Sequence, residues 1–317
     1  MGYGITIPFD GISLFEHRSW LAELADLGYS DVWTAEADGT DAFTPLALAA
    51  AWAPSLRLGT AIVPVFTRGP ALVAQSAAAM AETAPGRFVL GIGTSSDVIV
   101  ERWNGIPFEE PYRKTRDMIR FLRMALAGDK VDSQFDTFEV RGFRLGRPPA
   151  VLPPILVAAL RPGMLRLAAR EADGAITNWL AASDVPKVAA EVGEGKELVA
   201  RVFAFPTEDT AAARAIGRRM IAAYLNVPVY AAFHEWLGRG PQLEPMWAAW
   251  RAGDRKAALE AIPDSLVDEL ILHGSASRVR GQVQAYLDAG VTTVTLAIVS
   301  SGIDLRSAVR DLAPAAT

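Results

Sequence analysis

The alternation of short apolar runs with longer segments of helical period predicts an α/β chain folded as a (β/α)8 TIM barrel, with insertions after strands 4 and 7. Two observations carry this. The apolar runs number eight, which closes a barrel. With 51% hydrophobic and 21% charged residues, the 317-residue chain can also bury a large core. The expected strands are Gly4 to Pro8, Asp31 to Ala35, Arg57 to Val63, Phe88 to Gly93, Pro154 to Ala159, Gly174 to Asn178, Leu198 to Phe205 and Thr293 to Val299.

Between the runs, helix signals recur. Trp20, Leu21, Leu24 and Leu27 follow helical spacing, and Gly28 stops the segment. Thr44-Pro45 reads as a helix start, with Thr44 as the cap, because a proline at the first position forfeits no intrahelical bond. Val279, Val283 and Leu287 share a face that Ser275 or Ser277 can cap, and Ala289-Gly290 breaks this helix before the last strand. Two stretches are too long for ordinary barrel loops, about 128–153 and about 226–263. In the first, Phe135 to Val140 and Gly142 to Leu145 alternate like a hairpin. The second carries Tyr230, Phe233, Trp236, Trp247 and Trp250, which suit either closure over a planar ligand or a subunit contact. No repeat or low-complexity linker divides the chain, so one domain over 1–317 is expected.

Charge and composition exclude several function classes. A net charge of −5, with 31 basic and 36 acidic residues and no basic run, leaves no footprint for nucleic acid. The absence of cysteine removes disulfides, thiolate metal sites and a cysteine nucleophile. The start MGYGITIPFDG lacks the pattern of an export signal, and the apolar stretches are too short to span a bilayer, so no membrane partner and a cytoplasmic location are expected.

In a parallel barrel the site lies on the loops after the strand C-termini. After the second strand come Glu36 and Asp38. By the two-residue period, a Thr34 facing the lumen would bring Glu36 with it; the alternative is a carboxylate that caps the next helix or pairs with an arginine. After the fourth strand, Gly91 to Asp97 is a run of small residues whose N–H groups can meet a ring edge or an anion, or simply make a tight turn. After the fifth, Pro162 opens a helix whose free N–H groups at Gly163 and Met164 suit phosphate, with Arg161 adding charge or being merely solvated. The histidines are His17, His234 and His273, and none falls directly after an expected strand. A histidine triad or zinc site is therefore not expected; His17 reads as a helix-surface residue, His273 lies near the start of the last helix, and His234 sits in the aromatic insertion. A mouth poor in acids and bases suggests that an organic cofactor carries the chemistry. Gly91-Ile-Gly does not continue as a dinucleotide fingerprint, because position 96 is serine.

Leu58-Gly-Thr-Ala-Ile-Val-Pro-Val-Phe-Thr-Arg-Gly-Pro70, Gly86-Arg-Phe-Val-Leu-Gly-Ile-Gly93, Glu101-Arg-Trp-Asn-Gly-Ile-Pro-Phe108, Pro154 to Leu165 and Ala172-Asp-Gly-Ala175 together resemble luciferase-like flavin monooxygenases, and most closely their deazaflavin-dependent branch. The resemblance covers nearly the whole chain in order. It implies a barrel that binds coenzyme F420, with FMN as the alternative cofactor, and a non-prolyl cis peptide at Ala61-Ile62 that braces the ring. The same matching assigns Gly93, Thr94, Ser95 and Ser96 to polar contacts at the fourth strand and Ala158, Leu160, Arg161, Pro162, Gly163 and Met164 to the phosphate-binding turn, with Asn178 beside them. A homodimer is implied by resemblance as well. Glu36-Ala37 replaces an Asp-His pair, Ser96 stands where some relatives have a glutamate, and Arg161 stands where glycine is usual, so the chemistry tied to those residues does not transfer.

The resulting expectation is hydride transfer between the deazaflavin C5 and a small organic substrate. Glu36 and Asp38 are the candidate catalytic groups, and Phe9, Trp103 and Trp179 shape the substrate pocket. Two alternatives stand: an FMN-dependent monooxygenase supplied by a separate reductase, and a cofactor-binding barrel without turnover.

Overall fold

Strand pairing closes the ring that the alternation predicts. The computed structural model describes residues 1–314. Its strands are β1 (Gly2–Thr6), β2 (Asp31–Thr34), β3 (Arg57–Thr60), the short β4 (Val63–Pro64), β5 (Phe88–Gly93), β6 (Val131–Gln134), β7 (Glu139–Phe143), β8 (Ile155–Ala158), β9 (Gly174–Asn178), β10 (Glu197–Phe205), β11 (Ile271–His273) and β12 (Thr293–Ile298). The order β1-β2-β3-β5-β8-β9-β10-β12 is parallel throughout, and β12 returns to β1. All eight expected strands are present. β1 stops before Pro8, which has no N–H for the ladder. The expected third strand is divided into β3 and β4 on either side of Ala61-Ile62. One short strand was not expected: β11 pairs in parallel with the end of β10 and carries His273.

The two-residue period of each strand builds the lumen in layers. At the bottom, Arg57 reaches across to Glu197 with two bonds of 2.7 Å and touches Asp31 at 3.3 Å. Above it Trp33 packs with Val89, Leu156, Ile176 and Val199. Gly59 makes this layer possible, since a Cβ there would stand 2.2 Å from the Trp33 ring. The filled lower layers leave only the C-terminal mouth open.

At the divided edge, a side chain replaces the ladder. β3 pairs with β5 only as far as Gly59 opposite Val89, and β4 resumes pairing at Val63 opposite Ile92. In the gap, the Thr60 hydroxyl accepts from Gly91 N and donates to Gly91 O, both at 2.8 Å. Thr60→Val would strand both buried backbone groups. Its expected cost is about 2–4 kcal/mol, read as a lowered denaturation midpoint with unchanged slope.

The outer helices cover the ring with few surprises. Helix His17–Asp26 buries Trp20, Leu21 and Leu24, and Ser275 rather than Ser277 caps helix Ala276–Asp288 through Arg278 N. The helix expected at Thr44 begins at Phe43, and its cap is Asp41, whose Oδ1 accepts from Phe43 N and Thr44 N at 2.9 and 3.0 Å. The carboxylate three residues earlier outcompetes the hydroxyl. His17 is not on the helix surface. It is buried, with Nε2 accepting from Phe9 N and Nδ1 facing Ser13 O, both at 2.8 Å, so satisfied hydrogen bonds hold it inside.

Both insertions have more structure than expected. The first is a hairpin, but its strands are β6 and β7 and its turn falls on Phe135 to Phe138, because Phe135, Phe138 and Phe143 pack on Phe121 of helix Pro111–Leu126. The second is helical, with helices Pro228–Leu237, Gly240–Arg251 and Arg255–Glu260. Phe233 and Trp247 are buried as core, and Trp247 Nε1 donates to Leu225 O at 2.9 Å. Tyr230 alone of the aromatics singled out there joins the mouth, through Tyr224. No helix among the described residues is long and apolar enough to cross a membrane.

Candidate active site at the barrel mouth

The open mouth is visible in exposure alone. Along the strands, residues of the middle layer around Trp33 are buried, whereas Thr6, Ala61, Ile62, Thr94, Ser95, Ser96, Ala158, Leu160, Asn178 and Arg201 toward the C-terminal ends are part-exposed. Backbone irregularities gather at the same end. Ile7-Pro8 after β1 and Ala61-Ile62 after β3 are cis, the latter as the resemblance implies, while Ser95 after β5 and Trp179 after β9 have φ of 61° and 56°. A left-handed tryptophan is uncommon, costs on the order of 1–3 kcal/mol, and persists only where its surroundings enforce it. Such outliers gather where side chains are held for a purpose.

On the β2 side, the premise about Thr34 fails. Trp33, not Thr34, occupies the lumen, and the Thr34 hydroxyl donates outward to Ala42 O at 2.7 Å. Glu36 is nevertheless at the mouth. Arg68 grips it with Nε at 2.9 Å and Nη2 at 2.7 Å, and Ala42 N donates to it at 3.2 Å. These bonds hold the Arg68 pKa above its ordinary value, with burial opposing. The carboxylate thus does what the alternative reading allowed, pairing with an arginine and capping the next helix. Its backbone N–H also donates to Ile62 O at 3.1 Å, tying Glu36 to the cis bulge. Asp38 is exposed on the loop beyond.

The β5 side presents Thr94, Ser95 and Ser96 ahead of a π-helix, Val98–Trp103, a conformation frequent at functional sites. Ser96 Oγ accepts from Ile99 N at 3.3 Å, and Thr94 Oγ1 donates to Ser95 O at 3.2 Å. Gly93 closes the wall tightly. A Cβ there would lie 2.8 Å from Ala158 Cβ and 3.1 Å from Ile62. After β8, extended Arg161 precedes helix Pro162–Glu171, which leaves the N–H groups of Gly163 and Met164 without intrahelical partners, and Gly163 faces open space. Arg161 itself is exposed.

The expected pocket aromatics separate. Trp179 is buried at the mouth, 4.4 Å from Phe203 and 5.0 Å from Tyr224 between ring centres. Phe9 instead packs in the core against His17 and Trp20, and Trp103 is 55% exposed on the outside of the π-helix. Asn178 Oδ1 accepts from Trp179 N at 3.0 Å and so helps fix the left-handed turn.

Sequence reasoning missed Arg201, Phe203 and Tyr224; His234, noted in the aromatic insertion, is buried. Arg201 lies on β10 level with Asn178 of β9 and Thr295 of β12. Burial lowers its pKa, and burial likewise raises that of Tyr230, against which an Asn178 hydrogen bond acts. A signal was present: Arg201 is a lone cation inside the run Leu198 to Phe205, at an inward position by the period of Val199. A cavity of about 420 Å3 lies beside the mouth, among the loops after β10, β11 and β12, but none of these residues lines it. No cluster of three metal-ligating side chains occurs among the described residues.

Comparison with known proteins gives this arrangement a context. Residues 1–293 match the family model described as luciferase-like monooxygenase. A Mycobacterium tuberculosis protein assigned by name to the coenzyme F420-dependent oxidoreductases is 29% identical, covering 94% of this chain and 93% of its own length. The 5,10-methylenetetrahydromethanopterin reductase of Methanolobus tindarius is 27% identical, with 93% of each covered. Among solved structures, the coenzyme F420-dependent tetrahydromethanopterin reductase of Methanopyrus kandleri superposes with a TM-score of 0.79 at 19% identity, covering 98% of this chain and 97% of that one. At that identity the superposition speaks for the fold.

Proposed function

Because the chain belongs to the luciferase-like monooxygenase family, we propose that it is a coenzyme F420-dependent oxidoreductase that moves a hydride between the deazaflavin C5 and a small organic substrate. The observation that carries the reading is convergence: Glu36, the Ala61-Ile62 bulge, the Thr94 turn and the Pro162 helix start all edge one mouth.

The residues present fit a planar coenzyme with a phosphate tail. Gly93, Ala158 and Ile62 pack together so closely that a side chain at Gly93 would collide with both neighbours. Ala61 and Ile62 would brace the ring, Thr94, Ser95, Ser96 and Asn178 would meet its polar edge, and Leu160, Arg161, Pro162, Gly163 and Met164 would hold the tail at the helix N-terminus. Bound there, the coenzyme supplies a carbon that gives or takes a hydride. The protein's own task is to align the partners and keep water out. Glu36, oriented by Arg68, would hydrogen-bond the ring or relay a proton, and Asp38 is the second candidate acid. Trp179 would line the substrate side, whereas Phe9 supports it from the core and Trp103 serves only if a lid or partner covers it. The reading takes the whole chain as one domain, a cytoplasmic homodimer acting on a small molecule, served by a separate cofactor reductase where reduced coenzyme is consumed.

Fluorescence titration with each cofactor tests this. Coenzyme F420 is expected to bind in the micromolar range; FMN binding at that level without F420 binding would replace the proposal with the monooxygenase reading. Failure of hydride transfer to every member of a broad substrate panel would favour a barrel without turnover. Glu36→Gln is expected to lower kcat about 100-fold or more with little change in fold, in the range of a lost proton-transfer group; an unchanged kcat would remove Glu36 from the chemistry.

A further inference from the structure

From Arg201 and the aromatic wall around it, we infer that the substrate carries a carboxylate, which Arg201 receives inside the barrel while the apolar body of the molecule packs on Trp179, Phe203 and Tyr224. This names the substrate class of the oxidoreductase proposed above and rests on that reading.

Arg201 is unlike the other interior arginines. Arg57, in the lower layer, is held by Glu197 and Asp31, and Arg68 by Glu36. Buried Arg239 is held by Asp184 and Glu269. Arg201 enters no ion pair of the described residues, and its Nε is buried without a hydrogen-bond partner; the acidic groups near it are the Tyr224 and Tyr230 hydroxyls and, beyond ion-pair distance, Asp10. Its guanidinium lies 4.7 Å from the Phe203 ring centre, a contact that fixes the head group without satisfying its donors. An arginine cannot escape this position by losing its proton. A buried, unpaired Nε on a cation is costly unless something completes it, and the residue as a whole is part-exposed.

Position says what completes it. In the ring order β10 stands directly opposite β3, so Arg201 faces the bulge at Ala61-Ile62 across the lumen. A planar coenzyme braced on that bulge leaves its other face toward Arg201, where the substrate enters. The planar fork of donors matches a carboxylate in two parallel bonds, and the Trp179, Phe203 and Tyr224 rings supply an apolar flank. The Tyr230 hydroxyl and the Asn178 amide lie on the same side as further polar contacts.

The test uses the full chain with and without coenzyme F420, with phenylacetate as probe and phenylacetamide as its uncharged counterpart. By calorimetric titration, wild type is expected to bind the acid at least about tenfold more tightly than the amide, the scale of one charge-assisted bond. Arg201→Met should erase that preference and leave F420 affinity within about threefold, while Arg201→Lys should retain part of it. Arg201→Met should also melt no lower than wild type, because it removes an unpaired buried charge. Equal binding of acid and amide by wild type overturns the inference, as does a preference that survives in Arg201→Met. Loss of F420 binding in Arg201→Met with the acid preference intact would make Arg201 a coenzyme contact instead. Should wild type bind no F420 yet show the Arg201-dependent preference, the oxidoreductase reading falls while the anion site stands.

Discussion

Gly91→Ala is expected to lower the melting temperature by about 5–8 °C and to abolish coenzyme binding with it. Gly91 occupies the one point on β5 where β3 leaves the ladder. A Cβ there would lie 1.9 Å from the Thr60 carbonyl oxygen and 2.5 Å from Ile176 Cδ1. The first neighbour is backbone, so no rotamer change relieves the clash. Either β5 or the Thr60 end of β3 must move, and both bonds of the Thr60 hydroxyl to Gly91 break with that movement. Overpacking of this kind with two lost buried hydrogen bonds amounts to about 3–5 kcal/mol. The displaced segment leads straight into Ala61-Ile62 and, through Ile62 O, to Glu36, which is why binding should fail together with stability. Gly146→Ala is the control, because a Cβ at Gly146 meets nothing within 4 Å. A Gly91→Ala protein that melts like this control would contradict the close approach.

The ring of strands was legible because parallel strands covered on both faces read as unbroken apolar runs, and the helix signals between them separate one run from the next. Gly174 to Asn178 and Phe88 to Gly93 match their strands residue for residue. The mouth was legible for the same reason: once strand ends are known, Glu36, Thr94 and Pro162 follow by counting. Which way a given residue faces was less legible. Thr34 looked suited to the lumen by size, yet Trp33 holds it because Gly59 on the neighbouring strand leaves space for an indole, and that complement lies on another part of the chain. Burial set by specific partners was equally hidden. His17 is inside only because Phe9 N and Ser13 O meet its two nitrogens, and Arg201 looks like an ordinary strand residue until the carboxylates that neutralise Arg57 and Arg68 are seen to have no counterpart beside it. The insertion 226–263 gave its aromatics but not their use, since Trp247 serves as core with Ile221, Leu243 and Met246, while Phe233 joins the separate main core.

Acidification from pH 7 to pH 5 is expected to destabilise the protein through His234, and His234→Leu is expected to remove that part of the slope. His234 is fully buried on helix Pro228–Leu237, and neither ring nitrogen has a hydrogen-bond partner. Burial first, and the charge of Arg239 second, push its pKa down to about 3, with only a weak opposing contribution from the Trp179 backbone. Arg239 is itself neutralised by Asp184 and Glu269, so burial is the cause to weigh. The sign follows from proton counting. In the unfolded chain a histidine takes up a proton below about pH 6.5, whereas the folded protein resists until about pH 3, so the unfolded state is favoured throughout that interval. Stability is complete above the unfolded value and falls by about 1.4 kcal/mol per unit as pH drops below it, or about 2 kcal/mol at pH 5. Asp268, held to about 2 mainly by Arg214, is lost only at lower pH, so it leaves this window clear. Denaturant unfolding at pH 7 and pH 5 reads the effect, and equal pH dependence in wild type and His234→Leu would show that the imidazole is not held neutral. The consequence reaches the mouth as well. Tyr230 and His234 stand four residues apart on one helix, so charging His234 strains the element that carries Tyr230, and the aromatic wall should loosen before the barrel does. Trp179 fluorescence, isolated by its difference from Trp179→Phe, should therefore change at a higher pH than global unfolding; coincident transitions would tie the wall to the barrel as one cooperative unit.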